Sequence, residues 1–306
     1  MTTLYDKRTL DEIGPRLEPW QLAAWRSFGE MVADDADTYP CVPGRQGYLS
    51  GQLRYGFAAD PRTPQAVRDL ASLLEQYGPV SRATGKYASL AVFFHTPPAL
   101  AGAPVKRFES LFWSLMRRVS LQDRQPWPEG IPRDPHRHDW EFCFGGEPYF
   151  AFCATPAHRL RRSRSFPVML AAFQPRWVFE AINDGTSLGR KMKTLIRSRL
   201  ADYDEIPAHP ALKWYGQTDN YEWQQYFLRD DDSALSRCPF LSGRLGRGEE
   251  AGAPASTAAG SSAPDLPAPA SGAAEQSASG LDRPSAPTGP IAKVSSFLPD
   301  APDAEK

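Results

Sequence analysis

The sequence predicts an α+β fold: a single domain with a mostly antiparallel sheet flanked by helices, followed by a disordered C-terminal tail. Three observations support this prediction. Apolar residues recur at three- and four-residue intervals in several segments, as on one side of an amphipathic helix. Short β-prone runs lie between these segments, and two of them form a clear hairpin pattern. Finally, the composition changes at residue 243 to alanine, proline, serine and glycine, which predicts a domain over 1–242 and a tail over 243–306.

The tail is predicted to be disordered. Phe297 is its only aromatic residue, and its prolines would interrupt any helix. A segment that buries little apolar area cannot offset an ordering cost of roughly 1 to 2 kcal/mol per residue. We therefore assign the fold and the function to residues 1–242.

The N-terminal half of the domain is predicted to alternate helices with short strands. A helix is expected from 19 to about 33, because proline suits the first turn and apolar residues follow at helical spacing. Residues 39–57, rich in glycine and tyrosine, are typical of a loop that enters an irregular strand. A second helix is predicted over 63–76, and the apolar run at 89–95 has the length of a strand.

The clearest helix follows at 108–119, where one apolar stripe predicts packing on the sheet. The stripe consists of Phe108, Leu111, Phe112, Leu115, Met116 and Val119. Farther along, 166–173 is predicted to be a strand and 188–200 an amphipathic helix with a basic face. That face is either a solvated surface or a surface for a partner. It carries Arg190, Lys191, Lys193, Arg197 and Arg199.

Composition and charge exclude several classes of protein. The formal net charge of -1 argues against a nucleic-acid partner, because phosphate binding needs a basic excess or a dense basic patch. No stretch approaches the roughly 18 to 20 apolar residues that span a bilayer, and the N-terminus is charged, so we expect no membrane and a cytoplasmic location. The 4 cysteines include no Cys-x-x-Cys pair, so we expect reduced thiols rather than disulfides or a zinc knuckle.

Residues 138–164 hold the strongest indication of a functional site. Two histidines, three acidic residues and four arginines surround an aromatic hairpin that is predicted to turn at 145–148. In that hairpin His138 begins the first strand and would lie across from Thr155, while His158 follows the second strand. The hairpin would therefore bring the two histidines to one site.

Five separated blocks of the sequence carry a resemblance to a known family. They are Tyr-Pro-Cys-Val-Pro-Gly at 39–44, the aromatic block at 138–146, Thr-Pro-Ala-His at 155–158 with the arginines at 161–164, Phe-Gln-Pro-Arg at 173–176, and Cys-Pro-Phe at 238–240. In this order they resemble the YqcI/YcgG family over nearly all of residues 18–240. Their combination is far more specific than any one of them.

The resemblance implies an activity and a cofactor. Characterised relatives in this family are haem-dependent N-hydroxylases that act on a guanidine nitrogen, either of arginine or of an arginine-derived cyclic guanidine, and this sequence looks most similar to the second type, as in guanitoxin biosynthesis. The implied reaction is a monooxygenation that uses haem b, O2 and two electrons from an external reductase or ferredoxin. The difficult chemistry would be that of the cofactor.

By this resemblance the chain needs a ligand for haem iron, and three residues could supply it. His158 is the first candidate, because Arg161 lies three residues later and could then meet a haem propionate. His138 is the alternative imidazole. Cys41, flanked by Pro40 and Pro43 in a rigid loop, is the thiolate alternative.

Cationic and aromatic residues near these ligands could complete a haem site. Arg161, Arg162 and Arg164 could bind haem propionates or a substrate carboxylate through paired hydrogen bonds, or they could form a basic run on the surface. Arg176 could do the same, or cap the next helix. Trp140 could be a wall against the porphyrin, or an ordinary core residue.

A guanidinium substrate requires a carboxylate that accepts its planar fork. Glu141 and Glu147 are the candidates for this catalytic pocket. The alternatives are a salt bridge to a nearby arginine for Glu141, and a place in the hairpin turn for Glu147.

Two other classes of function remain open to the sequence. One is a non-catalytic protein that binds haem or another small ligand. The other is a non-haem metal enzyme that uses His138, Asp139, Glu141 and His158, although no recognised ligand motif such as His-Glu-x-x-His is present. Because the sequence also lacks a dinucleotide-binding Gly-x-Gly-x-x-Gly motif, the electrons of an oxygenase would come from a separate partner.

Overall fold

The computed structural model describes residues 2–180, 186–213 and 218–241. These residues lie in one compact unit, Met1–Glu250. The predicted tail at 243–306 lies outside the described residues, so the boundary at 242 stays a prediction. Within the described ranges, no helix is both long and apolar enough to cross a membrane.

The helices of the described residues are α1 (Lys7–Ile13), α2 (Pro19–Ala33), α3 (Val42–Leu49), α4 (Pro64–Thr84), α5 (Pro98–Ala101), α6 (Val105–Ser120), α7 (Arg176–Glu180), α8 (Ser187–Tyr203) and α9 (Trp223–Tyr226). The strands are β1 (Leu53–Ala58), β2 (Ser89–Phe94), β3 (Phe142–Phe144), β4 (Glu147–Ala154) and β5 (Met169–Pro175). Short 3₁₀ helices follow α1, precede β5 and end the described chain.

The five strands form one sheet in the order β1-β2-β5-β4-β3. β1 and β2 pair in parallel, because α4 carries the chain back across the sheet between them. The other three pairs are antiparallel. The predicted α+β fold with a mostly antiparallel sheet is therefore confirmed.

Each side of the sheet packs against its own helices, because successive side chains of a strand point to opposite faces. On the first face, Leu90 and Val92 belong to a core that α4 and α6 complete. On the second face, Ala91 and Phe93 belong to a separate core with α2. The second face is the one that carries the site described below.

Two helices differ from the sequence prediction. α3 replaces the first part of the irregular segment predicted at 39–57: Cys41 caps its N-terminus and Pro43 lies in its first turn. Pro43, Gly44 and Gly47 interrupt the apolar spacing of this short helix, so the sequence pattern alone did not indicate a helix here. α4 continues to Thr84 through Pro79, beyond the predicted end at 76, and buried residues continue along it as far as Ser81.

The hairpin is tighter than predicted. Gly145 and Gly146 have φ values of 64° and 79°, which is the left-handed backbone of a two-residue hairpin turn. Phe144 consequently pairs with Glu147, and β3 begins only at Phe142. The prediction that His138 begins the strand is therefore wrong.

Candidate functional site

The second face of the sheet borders a cavity of about 300 Å³. This volume is at the lower end of the roughly 300 to 1,000 Å³ of small-molecule sites. α2, the start of α3 and α8 form its other walls. Most of the lining is apolar and includes Phe28, Val32, Phe150, Phe152, Ile196 and Leu200.

Small side chains in the middle of the sheet create this cavity. Ala91 of β2 pairs with Ala172 of β5, and both line the cavity with Ser89. Phe93, the next residue of β2 on this face, instead fills its space against Phe28 at a ring distance of 5.5 Å. The floor of the cavity is thus the alanine pair Ala91 and Ala172, whereas the neighbouring position Phe93 on the same face of the sheet has a large aromatic ring.

A second cavity of about 210 Å³ adjoins the first one. The two cavities share seven lining residues: Pro43, Phe150, Gln174, Phe179, Ile196, Leu200 and Leu212. The second cavity adds polar groups, among them Lys193 of α8 and Glu222, which immediately precedes α9. A ligand could therefore occupy an apolar part and a polar part of the same region.

Cys41 is the nucleophilic residue that lines the larger cavity. It is a free thiol at the N-cap of α3, where its sulfur accepts a hydrogen bond from the Gly44 N–H at 3.4 Å. Burial raises the pKa of the Cys41 thiol, while the Gly44 N–H and the positive charge of Arg164 act in the opposite direction. The thiol is protonated at neutral pH, and metal coordination would remove that proton.

Arg164 brings a buried positive charge to the same cavity. Its side chain is only 6% exposed, and its guanidinium carbon lies 4.1 Å from the centre of the Phe152 ring. It donates to the carbonyl oxygens of Gln225 at 3.1 Å and Tyr226 at 3.4 Å. Desolvation lowers the pKa of Arg164 to about 10, so the group is still charged at neutral pH. A buried cation that donates its hydrogen bonds to neutral carbonyls favours an anionic group nearby, and the Asp204 carboxylate on the same cavity acts on it in this way.

The other arginines of this run have different roles. Arg161 is buried, and its guanidinium donates to the carbonyl oxygens of Pro207 at 2.7 Å and Arg229 at 2.8 Å, and to Asp232 Oδ1 at 2.9 Å. It therefore holds chain segments together, although it borders the larger cavity. Arg162 is half-exposed and pairs with Asp37. The alternative of a surface basic run fits Arg162 and is wrong for Arg161 and Arg164.

His158 is fully buried, and both ring nitrogens are engaged. Nε2 lies 2.8 Å from the carbonyl oxygen of Leu228, which can only accept, so Nε2 carries the proton. Nδ1 then accepts from the Thr155 hydroxyl at 2.8 Å. Desolvation lowers the pKa of His158, which keeps the ring neutral. His158 lines neither cavity, and an iron bond would cost it one of these two hydrogen bonds. The geometry thus favours Cys41 over the histidine that the sequence ranked first.

Several predicted site residues lie away from both cavities. Trp140 packs on the first face against Phe240, at a ring distance of 5.1 Å, so it is a core residue and not a wall of the cavity. The aromatic walls come instead from Phe150 and Phe152, which sequence reasoning missed. His138 precedes β3 and lines neither cavity, and because β3 begins only at Phe142, the strand pairing that was predicted to set His138 across from Thr155 does not form.

The two predicted carboxylates are also elsewhere. Glu141 is buried and pairs with Arg176 across 3.5 Å, which is the salt-bridge alternative. Glu147 follows the hairpin turn, 3.8 Å from Arg82, and burial raises the pKa of its carboxyl. Neither carboxylate lines a cavity.

The non-haem metal alternative lacks its ligand set. Among the residues that the structure describes, no three or more histidine, cysteine, aspartate or glutamate side chains lie close enough together to hold a metal ion. His138, Asp139, Glu141 and His158 are all described residues, and they do not form such a group.

The fold and the site together define an α+β protein with a largely apolar small-molecule cavity, in which a thiol and a buried cation are the chemically distinctive groups. The chain belongs to the YqcI/YcgG family, whose model matches residues 28–241. The resemblance seen in the sequence is thereby confirmed.

Three relatives show how far this family likeness extends. The chain is 52% identical over 242 residues to the uncharacterized protein YqcI of Bacillus subtilis (strain 168), covering 79% of this chain and 95% of that protein. It is 54% identical over 238 residues to the uncharacterized protein YcgG of the same organism, covering 78% and 94%. It is 30% identical over 236 residues, covering 75% and 87%, to a Streptomyces lavendulae protein provisionally named N(omega)-hydroxy-L-arginine synthase DcsA. No solved structure matches the chain.

Proposed function

We propose that this protein is a haem-dependent enzyme that hydroxylates a guanidine nitrogen of arginine or of an arginine-derived small molecule. The observation that carries the proposal is the apolar cavity with the Cys41 thiol and the Arg164 cation on its walls. The name of the Streptomyces relative, an arginine N-hydroxylating enzyme, supports the reaction class.

The residues of the cavity fit haem b. Its apolar and aromatic walls suit a porphyrin, and Cys41 offers a sulfur ligand on a helix N-terminus. Bound haem would supply O2 activation, with two electrons from a partner, one oxygen atom entering an N–H bond and the other leaving as water.

The chain's own residues would prepare this site. Cys41 is held in place by the Gly44 N–H and by α3, so its sulfur is oriented before a metal arrives. The Arg164 charge would offset the negative charge of a thiolate or a propionate in surroundings that otherwise disfavour anions. Phe150 and Phe152 give the cavity apolar walls, which would limit the access of water to a reactive site.

Electrons would come from a separate reductase or ferredoxin. α8, whose residues Ile196 and Leu200 line the cavity, carries exposed Arg190 and Lys191, which line neither cavity. Such a basic surface next to the cavity favours an acidic redox partner, because complementary charge speeds encounter.

Absorption spectroscopy of protein expressed with a haem precursor tests the proposal. We expect an intense Soret band at one haem per chain, and a reduced CO complex with the spectrum of a thiolate ligand. Cys41→Ala should lose that spectrum, whereas His158→Gln should keep it. An imidazole-type CO spectrum that survives Cys41→Ala would reject Cys41 as the ligand, and protein that never takes up haem would reject the haem enzyme.

A non-catalytic haem protein is the second candidate. It would show the same Soret band. Two measurements distinguish the enzyme from this alternative. They are arginine-dependent O2 consumption in the presence of a reductase, and mass-spectrometric detection of a hydroxylated guanidine.

A further inference from the structure

The second cavity contains a buried acid that neither sequence motif nor family block singled out. Glu222 is 4% exposed and lines the cavity of about 210 Å³. Both carboxylates that the sequence suggested for a guanidinium lie outside this region. Among the described residues, two carboxylates line these cavities instead. Glu222 lines the second cavity, and Asp204 lines the larger one.

A hydrogen-bonded group orients the Glu222 carboxylate. Asn220 Nδ2 donates to Glu222 Oε1, and Gln225 Nε2 donates to Asn220 Oδ1 at 2.8 Å. The Gln225 N–H also donates to the Glu222 carbonyl oxygen at 2.9 Å. All three side chains are buried. The carboxylate is therefore held in position before a ligand arrives, which reduces the entropy lost on binding.

Asp204 is not equivalent to Glu222. Its Oδ1 accepts from the Ser163 N–H at 2.7 Å and its Oδ2 accepts from the Ser163 hydroxyl at 2.9 Å, so both oxygens serve the turn that carries Arg164. The charge of Asp204 also acts on Arg164. Asp204 thus serves the turn and Arg164 on the larger cavity, whereas Glu222 is the acid on the second cavity.

Helix α9 connects this acid to the apolar part of the site. Glu222 precedes α9, and the carbonyl oxygen of Gln225 accepts from Arg164 Nη2 at 3.1 Å. Pro43, two residues after Cys41, lines both cavities. A small molecule bound at Glu222 would thus lie beside the cavity that holds the thiol.

The charged residues of the second cavity differ in exposure. Glu222 is buried, Lys193 is half-buried with its Nζ enclosed, and Arg197 and Lys213 are exposed, Lys213 in an ion pair with Asp219 at 3.0 Å. The buried acid with Arg197 at the mouth matches a molecule with a cation at one end and a carboxylate at the other. Free arginine and close derivatives that keep the carboxylate have this pattern.

We infer that Glu222 binds the guanidinium of an amino-acid substrate, with Arg197 facing its carboxylate. The inference rests on the proposed function, because it assigns the substrate site of that reaction. In this assignment, the guanidinium, which is the group to be hydroxylated, lies at the inner end of the second cavity.

Binding of arginine and of its neutral isostere citrulline to the full-length, haem-loaded chain tests this inference. Calorimetry gives both affinities for the wild type, Glu222→Gln, and the control Glu205→Gln, which removes an exposed acid after α8. We expect the wild type and Glu205→Gln to prefer arginine. Glu222→Gln should bind arginine roughly 30-fold or more weakly, since loss of a buried charge partner costs at least about 2 kcal/mol, and should bind citrulline as before.

Two results would overturn the inference: unchanged arginine binding in Glu222→Gln, or equal losses for arginine and citrulline, which indicate a structural role. If Glu222→Gln does not fold, Glu222→Asp keeps the charge and should keep the preference for arginine over citrulline. Loss of that preference in folded Glu222→Asp also contradicts the assignment.

The same samples separate this inference from the proposed function. Haem uptake and O2 consumption test the enzyme, while the arginine-to-citrulline ratio tests Glu222. Calorimetry does not require turnover, so a Glu222-dependent preference in a protein that never takes up haem would support the substrate site while rejecting the haem enzyme.

Discussion

His158 and Arg164 are two buried basic side chains in the same segment of the chain. Their hydrogen-bond partners give them different roles in the structure. His158 is neutral and has one donor and one acceptor partner, so its hydrogen bonds are complete. Arg164 is charged and bonded to carbonyl oxygens. The first therefore ties the loop after β4 to Leu228, while the second leaves a charge beside the cavity.

The neutral state of His158 makes stability depend on pH. Burial lowers its pKa in the folded protein, while in the unfolded chain the ring has an ordinary pKa of about 6.5. As pH falls through about 6.5 the unfolded chain takes up the proton and the folded protein does not, so the contribution present above this pH is progressively lost. We expect the free energy of unfolding of the wild type to fall more between pH 7.5 and 5.5 than that of His158→Gln.

Urea unfolding at the two pH values measures this difference. His209, whose pKa burial also lowers, is present in both proteins, so its contribution cancels. Equal losses in the two proteins would contradict a neutral, structural His158.

At the scale of elements, the strands that form the cavity floor provide the most direct test of the site. Ala172 faces the cavity from β5 and pairs with Ala91. Ala172→Leu would extend an isobutyl group into the empty space. We expect a folded protein, with a gain of roughly 0.5 to 2 kcal/mol from cavity filling, and much lower haem uptake.

Ala172→Ser is the matched control, because it changes the same position with little change in volume. The Soret absorbance per chain and the thermal midpoint are measured for both variants. Haem uptake by Ala172→Leu equal to that of the control would show that the ligand binds elsewhere.

The elements also show what the sequence could predict. α6 was evident because its apolar stripe is long and regular, and it is buried on that stripe as expected. α3 was missed because glycine and proline hide its period. The parallel pairing of β1 with β2 depends on the path of α4 across the sheet, which no local pattern contains.

The candidate site, like the fold, could be predicted only in part from the sequence. The family blocks contained Cys41 and Arg164, and residue chemistry made both candidates. Their ranking against His158 could not be predicted, because it depends on which nitrogens find partners after folding. The alanine floor and Glu222 gave no signal, since an alanine in a strand and an acid before a short helix are common.

On the scale of the whole molecule, the amino-acid composition predicts that residues 1–242 form the folded domain, and the family match ends at 241. A chain truncated after residue 242 should therefore have the same urea midpoint, haem uptake and arginine affinity as the full chain. Unfolding and binding measured side by side test this expectation. A lower midpoint or weaker arginine binding in the shorter chain would show that 243–306 contributes to the domain.

The paired alanines at the centre of the sheet have a consequence beyond binding. A molecule that fills the space they leave binds the folded chain and not the unfolded one, and at a concentration 100 times its dissociation constant it adds about 2.7 kcal/mol to stability. Newly made chains without that molecule open more often and are degraded sooner. The amount of this protein in a cell would then follow the supply of the molecule that fills the cavity, without any change in transcription.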